Sequence, residues 1–134
     1  MNIIENKDDA VKILLDQKPL VIFQGESEWG SRALGNRSIL FDARNPNAKK
    51  IVNKFKKREW WRPLAGSVLL EYAHEYFNFE NLKESPFMSF AVDAKQKALD
   101  EVPSIVHVPF KQRITIYNVE CKLYLKEIIK IIMI

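Results

Sequence analysis

Cysteine and histidine are scarce in this 134-residue chain, which has one cysteine, Cys121, and two histidines, His74 and His107. A single cysteine excludes an internal disulfide framework and is typical of a reducing compartment, so we predict a cytoplasmic location. These residues also cannot complete a closed structural zinc site by themselves, because such a site needs four ligands. A metal bound with the help of carboxylates or of a partner stays open at this stage.

The chain also lacks a long apolar run. No stretch approaches the ~20 apolar residues that span a bilayer. The segment Met1–Gln17 is polar and acidic, where a signal peptide needs a basic start and an apolar core. With 47% hydrophobic and 28% charged residues, the composition is that of a soluble globular domain and excludes a disordered chain. We therefore predict no membrane partner.

Positive charge is abundant in one stretch. From Arg32 to Arg62 there are ten basic and two acidic residues, a local balance of +8 in a chain of net charge +4. Guanidinium groups suit phosphate and carboxylate, and Gly25, Gly30 and Gly35 permit tight turns with backbone N–H groups close to a ligand. The stretch predicts a site for an anion. A solvated basic helix behind a glycine loop is the alternative, and a pI near 9.2 is also compatible with nucleic acid.

The order of predicted elements is typical of an α/β fold. We predict a helix capped by Asp8 or Asp9, a buried strand at Leu20–Phe23 and a second strand at Ser38–Phe41. The next helix begins with Asn45 as its cap and proline at its first position, and runs to about Lys57. The remaining predictions are an apolar run at Ser67–Leu70, a short helix or turn at Glu71–Phe79, a polar loop at Lys95–Asp100, and strands at Phe87–Val92, Ser104–Val108 and Arg113–Val119.

The C-terminal stretch Lys122–Ile134 differs in character from the rest. Lysines recur every four residues opposite an isoleucine-rich face, which predicts an amphipathic helix that docks on the domain. A strand is the alternative, because isoleucine favours extended structure, and an interface or membrane-surface element is less favoured. We therefore divide the chain into a domain at residues 1–120 and an atypical segment at residues 121–134.

Three ordered sequence blocks resemble a known family. The run EWGSRALGNRSILFDARNP, then KKREWWRPLAGSVL, then ESPFM resemble the C-terminal domain of the nodulation-protein-U-type O-carbamoyltransferases, and matches extend from Val11 to Arg113. The resemblance implies a YrdC-like α/β (α+β-like) fold with an open twisted sheet and a positively charged cavity. It implies that the domain binds carbamoyl phosphate and ATP to form carbamoyl adenylate, with Mg²⁺ as a candidate companion ion. A separate N-terminal domain or protein would pass the carbamoyl group to a hydroxyl.

The resemblance also implies roles for individual residues. Lys56 and Arg62 would be catalytic and, with Arg32, would bind phosphates, because preorganised cations stabilise the charge that develops in adenylation. Asn36 and Ser38 would orient carbamoyl or phosphate oxygens. The full set of implied substrate- and nucleotide-binding residues is Arg32, Asn36, Arg37, Ser38, Arg58, Ser67, His107 and Arg113, and no metal ligand is implied.

Alternatives exist for two of these assignments. Arg37 is structural if it pairs with Glu28 or Glu59. Trp60 and Trp61 are expected to pack in the core, and walling a nucleotide cleft is the alternative.

The sequence departs from the family pattern at three places. Ser31 replaces a proline, and Pro109–Lys111 replace an Asp-Gly-Thr run between His107 and Arg113. The chain ends in LYLKEIIKIIMI, where the family continues into a strand and turn that close the nucleotide site. We therefore expect a fragment, a split domain or a rewritten tail that does not complete the transfer alone. An RNA-binding module and a degenerate, non-catalytic interaction domain are the competing hypotheses, with nucleic acid the less favoured partner.

Overall fold

The computed structural model of the chain describes residues 6–83, 85, 87–107, 113–119 and 131–133. The helices are α1 (Lys7–Leu15), α2 (Ala48–Phe55), α3 (Leu70–Tyr76) and α4 (Gln96–Glu101), with a 3-10 turn at Pro103–Ile105. The strands are β1 (Leu20–Phe23), β2 (Arg37–Asp42), β3 (Gly66–Leu69), β4 (Phe77–Asn78), β5 (Ala91–Ala94), β6 (Arg113–Val119) and β7 (Ile131–Met133).

The described strands form one mixed sheet in the order β1-β2-β7-β3-β6-β5-β4. β3 and β6 are parallel, and the other neighbours are antiparallel. Because β7 is antiparallel to both β2 and β3, the strands β2, β3 and β6 all run in the same direction. Helices pack on this open sheet, so the predicted α/β class is confirmed.

The main apolar cluster joins the sheet to the helices that follow it. α2 contacts β2, α3 contacts β3 and β6, and α4 contacts β5. Phe41, Phe77 and Phe79 are almost fully buried in this cluster together with Val52 and Val68. Burying each such side chain stabilises the fold by roughly 1.5–3 kcal/mol, so this cluster holds the sheet against its helices.

The N-terminal helix and strand differ from the sequence prediction in detail. Asn6 caps α1, because its side-chain oxygen accepts the N–H of Asp8 at 3.0 Å. The prediction that Asp8 or Asp9 caps the helix is wrong. Both residues lie in the first turn, where their negative charge interacts favourably with the helix dipole. The strand at Leu20–Phe23 is confirmed, but it is half exposed rather than buried because β1 lies at an edge of the described sheet.

Helix α2 begins two residues later than predicted. The side-chain oxygen of Asn45 accepts the N–H of Asn47 at 2.8 Å, which closes a turn that contains Pro46. The helix then starts at Ala48, so Asn45 shapes the turn before the helix and does not cap it.

Two later predictions are wrong. The predicted loop Lys95–Asp100 contains helix α4, because a helix buries Ala98 completely while Gln96 and Asp100 stay exposed. The predicted strand Ser104–Val108 is wrong at its start, where a 3-10 turn at Pro103–Ile105 is fixed by the Ser104 hydroxyl, which donates to the carbonyl of Ala43 at 2.6 Å. His107 forms an isolated β-bridge, and Val108 lies outside the described residues.

The predicted strand Phe87–Val92 is displaced to Ala91–Ala94, where it pairs with β4 and β6. The strand at Arg113–Val119 is confirmed as β6.

The predicted C-terminal helix is wrong for residues 131–133, which form strand β7. This strand lies between β2 and β3 and pairs with both, so it supplies backbone hydrogen bonds on two sides. Its isoleucines suit a strand, since β-branched side chains pack well on a pleated surface. Residues 120–130 lie outside the described residues. Within the described part of the chain, the helices are too short and too polar to span a bilayer.

Candidate functional site

The register of the sheet sets the three parallel strands at a common level. Met133 of β7 is paired with Phe41 of β2 on one side and with Gly66 of β3 on the other. Gly66 is in turn paired with Ile116 of β6. Phe41, Gly66 and Ile116 therefore lie in one row across the sheet.

Counting back from this row places three predicted arginines at the same edge of the sheet. Arg37 lies four positions before the row in β2, and Arg62 lies four positions before it in the segment that leads into β3. Arg113 lies three positions before the row, at the start of β6. We call this edge, where Arg37, Arg62 and Arg113 lie, the arginine edge. The three residues come from three separate sequence blocks.

The glycine loop, which contains Gly25, Gly30 and Gly35, leads into β2 at the arginine edge. Hydrogen bonds to Glu28 hold its backbone in place. The two carboxylate oxygens of Glu28 accept the N–H groups of Leu34 at 2.7 Å, Asn36 at 3.0 Å and Arg37 at 3.2 Å. The row of N–H donors predicted for a ligand is thus engaged by a carboxylate of the chain itself. An external anion at this edge has to rely on cationic side chains.

Two predicted site residues of this loop make internal contacts. The buried Ser38 hydroxyl accepts the N–H of Gly35 at 2.9 Å, and the Asn36 amide donates to the carbonyl of Glu26 at 2.9 Å. Gly35 has a φ of +105°, a backbone conformation that L side chains rarely adopt, so the predicted tight turn is present. Ser38 and Asn36 therefore shape the loop.

The Arg37 guanidinium is also committed to the loop. It donates to the carbonyls of Gln24, Gly25 and Asn36, and it lies 3.7 Å from the centroid of the Phe23 ring. Glu28 contacts the backbone N–H of Arg37 and not its guanidinium, while Glu59 pairs with Arg62 instead. Arg37 thus has a structural role, by contacts other than the two ion pairs considered from the sequence.

Arg32 contrasts with Arg37. It is exposed in the glycine loop, and it makes no hydrogen bond or ion pair with the described residues. No described residue therefore occupies the guanidinium donors of Arg32, and they are available to an anion.

A buried side-chain amide holds in place the segment that precedes β3. Asn53 of α2 is fully buried, and its nitrogen donates to the carbonyls of Trp60 at 3.1 Å and Arg62 at 3.0 Å. Its oxygen accepts the Nε–H of Arg58 at 2.6 Å. We call the segment Arg58–Arg62 the basic turn. Sequence analysis missed Asn53, although it is the one uncharged polar residue of α2, an available signal for a buried amide with a specific partner.

Positive charges act on one another around the basic turn. The pKa of Lys56 is lowered, first by desolvation and then by the charge of Arg58. The pKa of Arg58 is lowered by desolvation and by the charge of Arg62, which the charge of Glu59 partly offsets. Arg62 Nε lies 2.6 Å from a Glu59 carboxylate oxygen, but both side chains are half exposed and such a pair contributes little. The turn therefore favours the arrival of an anion.

The tryptophans of the basic turn are exposed. Trp60 is 75% and Trp61 53% exposed, so the expected packing of these rings in the core is wrong. The turn is held by Asn53 through main-chain carbonyls, which leaves the rings outside.

The other predicted residues lie farther along the sheet or after the 3-10 turn. Ser67 is buried in β3, one position beyond the row that marks the common level of the strands. His107 follows the 3-10 turn, and its Nδ1 is buried without a partner in the described part of the chain. The hydroxyl of Ser85, in the ESPFM block, is likewise buried without a hydrogen-bond partner in the described part of the chain. The sequence departures at Pro109–Lys111 lie outside the described residues.

The opposite end of β2 carries an ion pair between the buried Asp42 and the half-exposed Arg44, and this pair belongs to the fold. Asp42 is 1% exposed and accepts hydrogen bonds from Arg44 at 2.6 and 2.9 Å and from Gln17 at 2.9 Å. Burial alone would raise the pKa of Asp42, but the hydrogen bonds from Arg44 and Gln17 outweigh it and lower the pKa. Among the described residues, no group of three or more acidic, histidine or cysteine side chains could hold a metal ion.

Comparison with known proteins agrees with the sequence blocks. The family model described as "Carbamoyltransferase C-terminus" matches residues 11–133. The chain belongs to this family. The carbamoyltransferase match runs past residue 120, where the sequence predicted a boundary, and includes β7.

Several relatives of this carbamoyltransferase C-terminal domain are nodulation proteins. Nodulation protein NolNO of Sinorhizobium fredii is 41% identical over 111 residues, which cover 78% of this chain and 16% of the relative. Nodulation protein U of the same species is 38% identical over 106 residues, or 79% of this chain and 19% of the relative. Nodulation protein NolO of Bradyrhizobium diazoefficiens is 45% identical over 87 residues, or 63% and 16%. The chain thus spans less than a fifth of the length of these relatives.

Proposed function

We propose that this carbamoyltransferase C-terminal domain binds carbamoyl phosphate and ATP at the arginine edge and takes part in forming carbamoyl adenylate. The observation that carries the proposal is the placement of arginines from three separate blocks at one edge of three parallel strands. Both ligands are polyanions, and because the Arg37 guanidinium is engaged by loop carbonyls, the donors proposed for their phosphate oxygens are those of Arg62 and of the exposed Arg32 in the loop that leads into β2.

The chemistry of adenylation suits these residues. Water cleaves carbamoyl phosphate into carbamate and inorganic phosphate. A carbamate oxygen then attacks the α-phosphorus of ATP, and the carbamoyl adenylate bond forms as the bond to pyrophosphate breaks. Charge on the transferring and leaving phosphates grows in the transition state, so cations already in place stabilise it without rearrangement. Arg32, Lys56 and Arg62 are the side chains to which we assign this role.

Other residues hold these cations in position. Asn53 fixes the main chain of the basic turn, while hydrogen bonds of Glu28 and Arg37 to the backbone fix the glycine loop. Accurate positioning contributes much of the rate in phosphoryl and nucleotidyl transfer. We further propose that a separate transfer domain or protein receives the carbamoyl group, consistent with the greater length of the relatives.

Isothermal titration of the full chain with a non-hydrolysable ATP analogue, with and without carbamoyl phosphate and Mg²⁺, tests the proposal. We expect Arg32→Ala to weaken binding about 10- to 150-fold, since a hydrogen bond to a charged group contributes roughly 1.5–3 kcal/mol. Lys18→Ala is the matched control. It removes one positive charge just before Leu20, at the end of β1 away from Arg37.

A folded wild-type chain that binds neither ligand at millimolar concentration would contradict the proposal. Equal affinity in Arg32→Ala and Lys18→Ala would also contradict it.

RNA binding is a second candidate, favoured by the exposed tryptophans beside Lys56 and Arg58. An RNA oligonucleotide bound along the basic surface would lose affinity steeply with salt, because several counterions are released. A pocket for one nucleotide would show a shallow dependence, so titration at several salt concentrations separates the two.

A further inference from the structure

We propose that the basic turn is a stacking platform for the base of the bound nucleotide, with Trp60 as the principal contact. The inference rests on the proposed function, because it names the part of the site that receives the base. It assigns a role to Trp60 and Trp61, two of the three exposed tryptophans of the chain, which neither the core nor the phosphate contacts account for.

The exposure of these rings is unusual for tryptophan. Trp60 and Trp61 are adjacent in sequence, 75% and 53% exposed. Tryptophan is highly buried on average in folded proteins, and exposed large apolar groups beside charged residues mark ligand or partner surfaces. Aromatic rings bind nucleobases by stacking, which contributes roughly 1–3 kcal/mol per base and tolerates any base because every base has a π face.

The turn presents the rings on a fixed backbone. The Asn53 amide donates to the carbonyls of Trp60 and Arg62, so the Trp60–Trp61 and Arg62–Pro63 peptide units are held to α2. Ordering a platform in advance lowers the entropy lost when a ligand binds. A free surface loop would not provide this.

The positively charged residues near Trp60 and Trp61 suit the phosphates of a nucleotide. Arg58 lies two positions before Trp60, Arg62 lies one position after Trp61, and Lys56 lies at the end of α2. Burial lowers the pKa values of Lys56 and Arg58, and the charge of Arg58 on Lys56 and of Arg62 on Arg58 lowers them further, so an arriving phosphate offsets this repulsion. The ligand class is therefore a nucleoside triphosphate, whose base meets the indoles and whose phosphates meet the cations.

Tryptophan fluorescence tests this directly. The chain has three tryptophans, and Trp29→Phe leaves only Trp60 and Trp61 as reporters. In this background we expect ATP to quench the fluorescence to saturation and inorganic tripolyphosphate, which has no base, to bind with little quenching. GTP should bind with an affinity similar to that of ATP, because stacking discriminates weakly among bases.

A second substitution separates the base from the phosphates. Adding Trp60→Leu should lower the affinity for ATP about 5- to 150-fold, which corresponds to the stacking energy. The affinity for tripolyphosphate should be unchanged. Trp60→Phe keeps an aromatic face and should retain ATP affinity to within about threefold. Far-UV circular dichroism of each variant checks that the domain is folded.

The outcomes distinguish this inference from the proposed function. If ATP binds but Trp60→Leu leaves its affinity unchanged, the platform is wrong while nucleotide binding stands. Equal weakening of ATP and tripolyphosphate by Trp60→Leu also overturns the base contact. If ATP does not bind the parent chain at all, or only an RNA oligonucleotide binds, the proposed function fails and the platform fails with it.

Discussion

Replacing Asn53 with alanine should both destabilise the domain and release the basic turn. The substitution removes two hydrogen bonds to the carbonyls of Trp60 and Arg62 and the acceptor for the Nε–H of Arg58. A neutral hydrogen bond contributes about 1 kcal/mol net, and one to a charged group contributes about 1.5–3 kcal/mol. Because water can reach the exposed parts of the turn and replace some partners, we expect a loss of about 2–4 kcal/mol.

Urea unfolding followed by circular dichroism measures this loss. For a slope of roughly 2 kcal/mol per molar urea, in the middle of the usual range, the midpoint should fall by about 1–2 M. Asn47→Ala is the matched control at the start of α2, because Asn47 is exposed and its side chain makes no capping hydrogen bond. We expect this control to change the free energy of unfolding by less than about 0.5 kcal/mol.

The same variant should also lose affinity for the ATP analogue under conditions where it is fully folded. Asn53→Asp keeps the acceptor for Arg58 but turns a carboxylate toward two carbonyl oxygens, so it should lose affinity as well. The argument is refuted if Asn53→Ala and Asn47→Ala have the same stability, or if a folded Asn53→Ala binds the ATP analogue as tightly as the wild type.

Three further predictions follow from the described contacts. Glu28→Gln should reduce the hydrogen-exchange protection of the Arg37 amide more than that of the Leu34 and Asn36 amides, because Leu34 and Asn36 share one carboxylate oxygen, Arg37 N–H donates to the other, and a carboxamide has a single acceptor oxygen; unchanged protection of the Arg37 amide would argue against the Glu28 contacts. The lowered pKa of Asp42 contributes stability that is present above its unfolded pKa of about 3.9 and is lost as pH falls through the folded pKa, so Asp42→Asn should be less stable at pH 7 and show a flatter acid unfolding curve. Equal acid slopes in the two proteins would contradict this. Deleting residues 131–134 leaves β2 and β3 without the strand between them and should unfold the chain, whereas a native circular dichroism spectrum would show that β7 is dispensable.

Much of the fold followed from local sequence signals. The strands at Leu20–Phe23 and Arg113–Val119 and the helix that ends near Phe55 were predicted because apolar spacing and β-branched residues act within a few positions. The helix α4 was missed, since its single buried alanine is a weak apolar signal. Strand β7 was mistaken for a helix because lysines spaced by four residues imitate an amphipathic helix.

The candidate site, like the fold, was predicted only in part from the sequence. The residue types and family blocks pointed to Arg32, Arg37 and Arg62 as anion-binding candidates. They could not show that the Arg37 guanidinium is committed to loop carbonyls, or that Glu28 already engages the N–H groups of that loop. Partners separated by about ten residues in a loop leave no periodic trace in the sequence.

Residue identity and short spacing were enough to predict the family, the α/β class and the concentration of positive charge between Arg32 and Arg62. That Arg37, Arg62 and Arg113 share one edge became visible only in the fold, since strand order and register depend on the pairing of β7 with both β2 and β3. Only the fold showed that Trp60 and Trp61 face outward, because a buried amide of α2 holds their main chain while the rings remain in solvent.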